Sequence, residues 1–184
     1  MDRFVRGDNA GMSEVGSEAF LKENRGTFVT LKNEVDGSLR GCIGFPYPVK
    51  PLGEAVVEAA IGAAAYDPRF SRVRPKELES LLVEVSALTK PEKIDYGSPL
   101  ELPKLVRIGM DGLIVSNALG SGLLLPQVAT EYKMTPEDFL TQTCLKAGLA
   151  PDAWLTGKVI VQRFQAEVFS ETSPRGRVKR EELD

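Results

Sequence analysis

Leu39-Arg40-Gly41-Cys42-Ile43-Gly44 is the stretch on which the reading of this chain turns. Its composition is that of a strand, yet two glycines interrupt it. Glycine weakens a strand, because it adds freedom to the unfolded chain and no side chain to the sheet. Its presence signals a close approach to the backbone, by another segment or by a ligand. Alternation puts Arg40, Cys42 and Gly44 on one face and Leu39, Gly41 and Ile43 on the other. A guanidinium beside a thiol favours the thiolate. Cys42 and Arg40 are therefore the candidate catalytic residues, and Gly41 and Gly44 are candidate binding positions.

Upstream, Thr27-Phe28-Val29-Thr30-Leu31-Lys32 is rich in β-branched and aromatic residues and reads as a strand. Asp36-Gly37 is a strong turn signal between the two strands. The cysteine stretch thus lies on the return strand of a hairpin. Downstream, Pro46, Pro48 and Pro51 prevent an immediate helix and suit the start of a later one. Residues 52–66 are dominated by Ala and Val, with Glu54 and Glu58 as the only wet stripe. This predicts a central buried helix, with Gly62 and the alanines allowing close approach. Asp67-Pro68-Arg69-Phe70 ends it. Asp67 and Arg69 supply a carboxylate and a guanidinium at a helix end, and are candidate binding residues. The plainer alternative is an Asp-Pro turn with a surface arginine.

Further on, residues 81–88 read as a strand with apolar positions on both faces, and 91–103 as a proline-containing loop. A short strand is expected at 105–108. Residues 112–116 and 122–125 read as a second hairpin. Pro126 opens a helix to Tyr132, and Thr135-Pro136 caps another that runs to Ala147 and stops at Gly148. Trp154 falls in a loop. Residues 158–169 read as one long alternating strand with a phase slip near Gln162-Arg163. Residues 1–16 read as a flexible N-terminus and 173–184 as a charged flexible tail. Hairpin, proline-opened helix and strand recur in both halves.

Composition narrows the chemistry. The chain has no histidine among 184 residues. That removes Ser-His-Asp and Cys-His catalysis, His-ligated zinc and the facial-triad iron site. Acid–base work falls to Asp, Glu, Lys, Tyr or Cys. Cys42 and Cys144 are far apart and form no zinc or disulfide framework. No metal and no cofactor are expected. The net charge of −3 argues against a nucleic-acid binder. No apolar run suggests a membrane span or a signal peptide, so a cytoplasmic protein is expected. Cys42 also has a bland reading, a small buried hydrophobe between packing glycines. Cys144 reads as core. Gly109-Met110-Asp111-Gly112 reads as a turn, and Lys158 and Arg163 as snorkelling side chains.

The LRGCIG stretch at 39–44 resembles the signature of the AMMECR family. The likeness continues through Asp67-Pro68-Arg69-Phe70, Glu84-Val85-Ser86, Asp111-Gly112, Leu125 to Ala129 and Arg163-Phe164-Gln165-Ala166. It covers about residues 25–170, within an AMMECR-type domain expected at 17–172. The resemblance implies an α+β fold of two lobes, with repeated three-strand, two-helix units around a barrel-like mixed sheet. It places the cysteine motif near a cleft. It also implies a modification pathway shared with Memo-like and radical SAM proteins, which makes those the expected partners alongside an unknown small molecule. Two functions follow. One is an enzyme or enzyme subunit using Cys42. The other is a protein- or ligand-binding module presenting the Gly-rich strand.

Overall fold

In the computed structural model, which describes residues 1–7 and 18–182, Gly37 takes the left-handed φ of 68° that lets the first hairpin close. Its N–H donates to the Asn33 carbonyl at 2.9 Å, and the Ser38 N–H donates to Asp36 Oδ1 at 2.9 Å. An Asp side chain bonding two residues on is the usual local reason for such a turn. Strands β1 (Gly26–Asn33) and β2 (Leu39–Phe45) therefore pair antiparallel. The register is regular from Thr27–Phe45 to Leu31–Gly41. It then jumps, because Lys32 faces Leu39, and Arg40 is left as the extra residue of a β-bulge.

The chain divides into two compact units, Met1–Leu88 with Glu167–Glu181, and Thr89–Ala166 with Glu182–Asp184. In the first, a short helix α1 (Asp2–Arg6) buries Val5. Helix α2 (Leu52–Ala65) covers one face of the sheet. Ala55, Ala59 and Ala63 are buried, as their spacing requires, and Val29 and Leu31 face the same core. Strand β3 (Leu81–Leu88) pairs antiparallel with β1.

The second unit has strand β4 (Glu92–Lys93), helix α3 (Leu102–Leu105), hairpin β5 (Gly112–Ser116) and β6 (Ser121–Leu124), helices α4 (Pro126–Glu131) and α5 (Pro136–Lys146), and strand β7 (Ile160–Phe164). Thr135 caps α5, accepting the Asp138 N–H at 3.2 Å while Asp138 accepts from Thr135. Trp154 lies buried in a short 3₁₀ turn, its Nε1 donating to Thr141 Oγ1 at 3.2 Å. Strands β8 (Ala166–Glu171) and β9 (Val178–Glu181) return to the first unit. Strand order is β2-β1-β3-β8-β9 in one sheet and β4-β7-β5-β6 in the other.

Five expectations are corrected. The α+β class stands, but the strands form two open antiparallel sheets and not one barrel-like mixed sheet. Residues 102–105 are helical where a strand was expected at 105–108, because Pro99 and Pro103 suit first-turn positions. The single long strand at 158–169 is two strands, in different sheets. Gln165 separates them: its N–H donates to Thr89 Oγ1 and its carbonyl accepts the Thr89 N–H, both at 2.9 Å. These bonds take it out of both ladders. Within the segment read as a charged tail, Val178–Glu181 pairs with β8 as an edge strand, where charge is tolerated. Of the segment read as a flexible N-terminus, 1–16, residues 8–16 lie outside the described residues, while within 1–7 the reading is also corrected, because Asp2–Arg6 is a helix that sends Val5 into the core of the first unit.

The glycines of the first hairpin have separate reasons. A Cβ on Gly41 would lie 2.2 Å from the Ala63 carbonyl oxygen, so the helix backbone rests on the strand backbone there. A Cβ on Gly44 would lie 2.2 Å from the Thr27 carbonyl oxygen and 2.5 Å from the Phe28 ring. Gly62 gives the complementary space on the helix, where a Cβ would lie 2.8 Å from Ile43. Gly41→Ala must push two backbones apart, a change that costs about 1–3 kcal/mol. A lowered urea midpoint at unchanged m is the expected result, with Leu39→Ala on the exposed side of the strand as the control. Stability equal to the parent's would disprove the close-packing account.

Candidate functional site

The site is built from the edge strand β2 and the turn that follows α2. β2 ends its sheet, so alternate backbone groups on it have no strand to pair with. At Cys42 both are taken by the turn. The Cys42 N–H donates to Asp67 Oδ2 at 2.8 Å, and Arg69 Nη2 donates to the Cys42 carbonyl at 3.3 Å. The two side chains are locked to each other. Arg69 Nε donates to Asp67 Oδ1 at 2.9 Å and Nη2 to Oδ2 at 2.7 Å, with the Arg69 N–H adding a third bond to Oδ1. A bidentate guanidinium–carboxylate pair is the strong form of this interaction.

Asp67 is 4% exposed. The hydrogen bonds from Arg69 hold its carboxyl well below the usual range, at about 2, against the opposing effect of burial. Arg69 keeps about half of its side chain in solvent, and its charged form is favoured by Asp67. Phe70 lies between two cations, 5.5 Å from the Arg69 guanidinium and 6.0 Å from that of Arg40.

Arg40 is not where alternation placed it. The bulge turns it toward the loop after α2, where Nε donates to Glu77 Oε1 at 2.8 Å and Nη1 to the Ser71 carbonyl at 2.9 Å. The charges that bear on the Cys42 thiol are those of Arg69, Asp67 and Glu84. The net result is upward, because burial of the half-buried sulfur outweighs the Thr30 hydroxyl that donates to it at 3.4 Å. The Arg40-assisted thiolate is thereby corrected. Cys42 is a protonated thiol near neutral pH, with its backbone clamped by Asp67 and Arg69.

The model of the AMMECR1 family matches residues 4–169. The chain belongs to the AMMECR1 family. A relative from Thermococcus onnurineus is 48% identical, and the alignment covers all of this chain and 90% of the relative. One from Methanothermobacter thermautotrophicus is 54% identical over 82% of this chain and 78% of its own. The crystal structure of the uncharacterized protein PH0010 from Pyrococcus horikoshii superposes with a TM-score of 0.92 at 45% identity, covering 98% of this chain and 90% of that one. The AMMECR1 fold of this chain is therefore the one seen in that crystal structure.

In this AMMECR1 chain a second set of residues stands beside Cys42. Register places Cys42, Thr30 and Glu84 side by side across β2, β1 and β3, on the face opposite α2. Glu84 is buried and accepts from Lys32 Nζ at 2.8 Å and from Ser170 Oγ at 3.3 Å. Lys32, Glu84, Ser170, Glu171, Lys179 and Glu181 line a cavity of about 410 Å³. None of these is a site residue in the sequence reading, although Glu84-Val85-Ser86 is among the stretches that carry the family resemblance. The one local signal was Glu84 itself, a carboxylate in the middle of Leu-Leu-Val-Glu-Val-Ser-Ala-Leu. Among the described residues, no group of three His, Cys, Asp or Glu side chains could hold a metal ion, and no helix is long and apolar enough to cross a membrane.

The Asp67 geometry sets a pH dependence. Its folded carboxyl titrates at about 2, below the ordinary 3.8, so its stabilisation is complete above 3.8 and disappears as the pH falls through 2. The difference corresponds to about 2 kcal/mol for this buried group. Asp67→Asn should lower stability by about that amount at neutral pH, and the gap to the parent should close as the pH falls toward about 2. Denaturant titrations along that pH series measure it. A gap that stays constant with pH would mean that the ion pair is not its source.

Proposed function

We propose that this chain is a ligand-binding module whose site is the polar face of the five-stranded sheet, and that Cys42 serves it as a neutral positioning group. The observation that carries this reading is the buried Glu84, which forms a wall of the 410 Å³ cavity and stands beside the Thr30–Cys42 pair. The cavity has the size of a small-molecule site. Its lining holds two ammonium groups, Lys32 and Lys179, against three carboxylates, Glu84, Glu171 and Glu181. One negative charge is left over. The occupant that fits is a small polar molecule bearing an amine.

The Gly-rich strand is not the recognition element in this reading, since Gly41 and Gly44 are filled by α2 and by Phe28. What the strand offers is the clamped Cys42 backbone and the cation-flanked Phe70. A Memo-like or radical SAM protein, as the family resemblance implies, is the partner that would supply or receive the ligand. Thermal-shift titration against a panel of primary amines tests the site. Saturable stabilisation by at least one amine is expected in the parent, weakened at least about tenfold in Glu84→Gln, the loss of one charged hydrogen bond. A panel that shifts neither protein counts against it.

A second reading has one observation in its favour. The Thr30 hydroxyl and Arg69 both act to favour a Cys42 thiolate, even though burial prevails. The enzyme alternative therefore predicts a reactive sulfur, and the binding module predicts an inert one. Alkylation of Cys42 by iodoacetamide, followed against pH with Cys42→Ser as the blank, separates them. The module requires a midpoint above the ordinary free thiol value of about 8.5. A midpoint below it would transfer the proposal to thiol chemistry. Cys42→Ser itself should lose less than about 1 kcal/mol, because a serine hydroxyl can keep the Thr30 partner.

A further inference from the structure

The second unit holds a pocket that the site above does not use. Three segments far apart in sequence, around Thr89–Lys90, Arg107–Asp111 and Arg163–Gln165, line a cavity of about 270 Å³. Asp111 is completely buried. Its carboxylate is consumed by Arg107 alone: Oδ2 accepts the Arg107 N–H at 3.0 Å and Nε at 3.1 Å, and Oδ1 accepts Nη2 at 2.8 Å. This fixes the Arg107 guanidinium in one orientation, with about half of the side chain still open to solvent. A guanidinium held along one edge by a buried carboxylate is preorganised for an oxyanion along another.

Arg163 is the second component. It is half-buried at the centre of its sheet, between Glu92 on β4 and Leu113 on β5. Among the described residues its one side-chain hydrogen bond is a long contact from Nη1 to the Leu105 carbonyl at 3.4 Å, and it has no ion pair. A half-buried cation without a carboxylate partner is costly. It faces the cavity, where Lys90 also stands. The walls are stiff. Thr89 and Gln165 exchange two bonds of 2.9 Å, and the buried Phe164 ring packs on Gly112, where a Cβ would lie 2.3 Å from it. By sequence alone Asp111 belongs to a turn and Arg163 snorkels; the fold brings the two residues to one pocket.

We infer that this pocket binds the carboxylate group of a small organic acid, through the guanidinium groups of Arg107 and Arg163 with Lys90 at the rim. Three cations against the two carboxylates of Glu92 and Asp111 leave one positive charge, which matches a singly charged carboxylate and not a phosphate dianion. The volume restricts the ligand to a small molecule.

The full chain, labelled with ¹⁵N, is titrated with acetate at constant ionic strength, with chloride as the balancing anion. Saturable shifts of the Arg107 and Arg163 Nε–H and of the Gln165 amide are expected. Arg163→Gln should weaken binding at least about tenfold, and Lys90→Gln by less, as the loss of a charge-assisted contact requires. Lys76→Gln, in the other unit, should leave it unchanged. Should Arg163→Gln fail to fold, the parent titration and Lys90→Gln, an exposed substitution, still decide. Absence of saturable shifts in the parent, or unchanged affinity in both Arg163→Gln and Lys90→Gln, overturns the pocket. Inorganic phosphate binding more tightly than acetate overturns the assignment to a carboxylate.

Discussion

The first unit depends on how two backbone groups of one residue are satisfied. β2 lies at the end of its sheet, and an open strand edge is a template for pairing with another chain. Here the N–H and carbonyl of Cys42 are taken by Asp67 and Arg69, which imitate the donor and acceptor of a neighbouring strand. The pair can stand there only because it follows directly from the end of α2. The end of α2 can lie that close only because Gly41 carries no side chain beneath Ala63, and Gly62 none above Ile43. Glycines, helix end and ion pair form one constraint. That constraint also explains a chemical outcome: the sulfur is set among protein atoms and its proton is retained.

The second unit meets related demands with different residues. Cβ atoms on Gly120 and Gly122 would lie 2.3 Å and 2.2 Å from backbone atoms of Ala147, so again a hairpin receives the end of a helix backbone to backbone. Again a buried carboxylate holds an arginine near in sequence, Asp111 with Arg107. The partners differ in what they leave free. Arg69 spends part of its guanidinium on a strand edge, whereas Arg107 spends its on Asp111 alone and keeps one edge for solvent. The same interaction serves closure in one unit and leaves a cation available in the other.

The elements legible in the sequence are those with local signals. Asp36-Gly37 determines the first turn, the alanine stripe determines the buried face of α2, and Thr135-Pro136 begins α5. Asp67 and Arg69 were legible as a carboxylate and a guanidinium at a helix end, but their grip on Cys42 is tertiary and leaves no trace in spacing. Arg40 was misplaced because a bulge is a property of the pairing and not of the strand's own residues. The slip near Gln162 was visible, yet nothing local tells a continued strand from one that changes sheets. Glu84 lies in a stretch that carries the family resemblance, yet its site role is not legible, since a lone acid in an apolar run is usually an edge or solvent position. Here it is buried with a lysine across the strand.

The clamp on Cys42 changes what its amide reports. An edge-strand N–H ordinarily exchanges with solvent quickly, because no neighbour covers it. This one is covered by a carboxylate delivered from the turn after a helix, so its release does not require the sheet to separate. It requires only that residues 67–69 lift away, a local opening with its own free energy. Deuterium uptake at that single position therefore measures the opening of the helix-terminal turn, while the amides of the central strand β1 measure the opening of the sheet. The two processes are physically distinct although the residues face each other across one ladder.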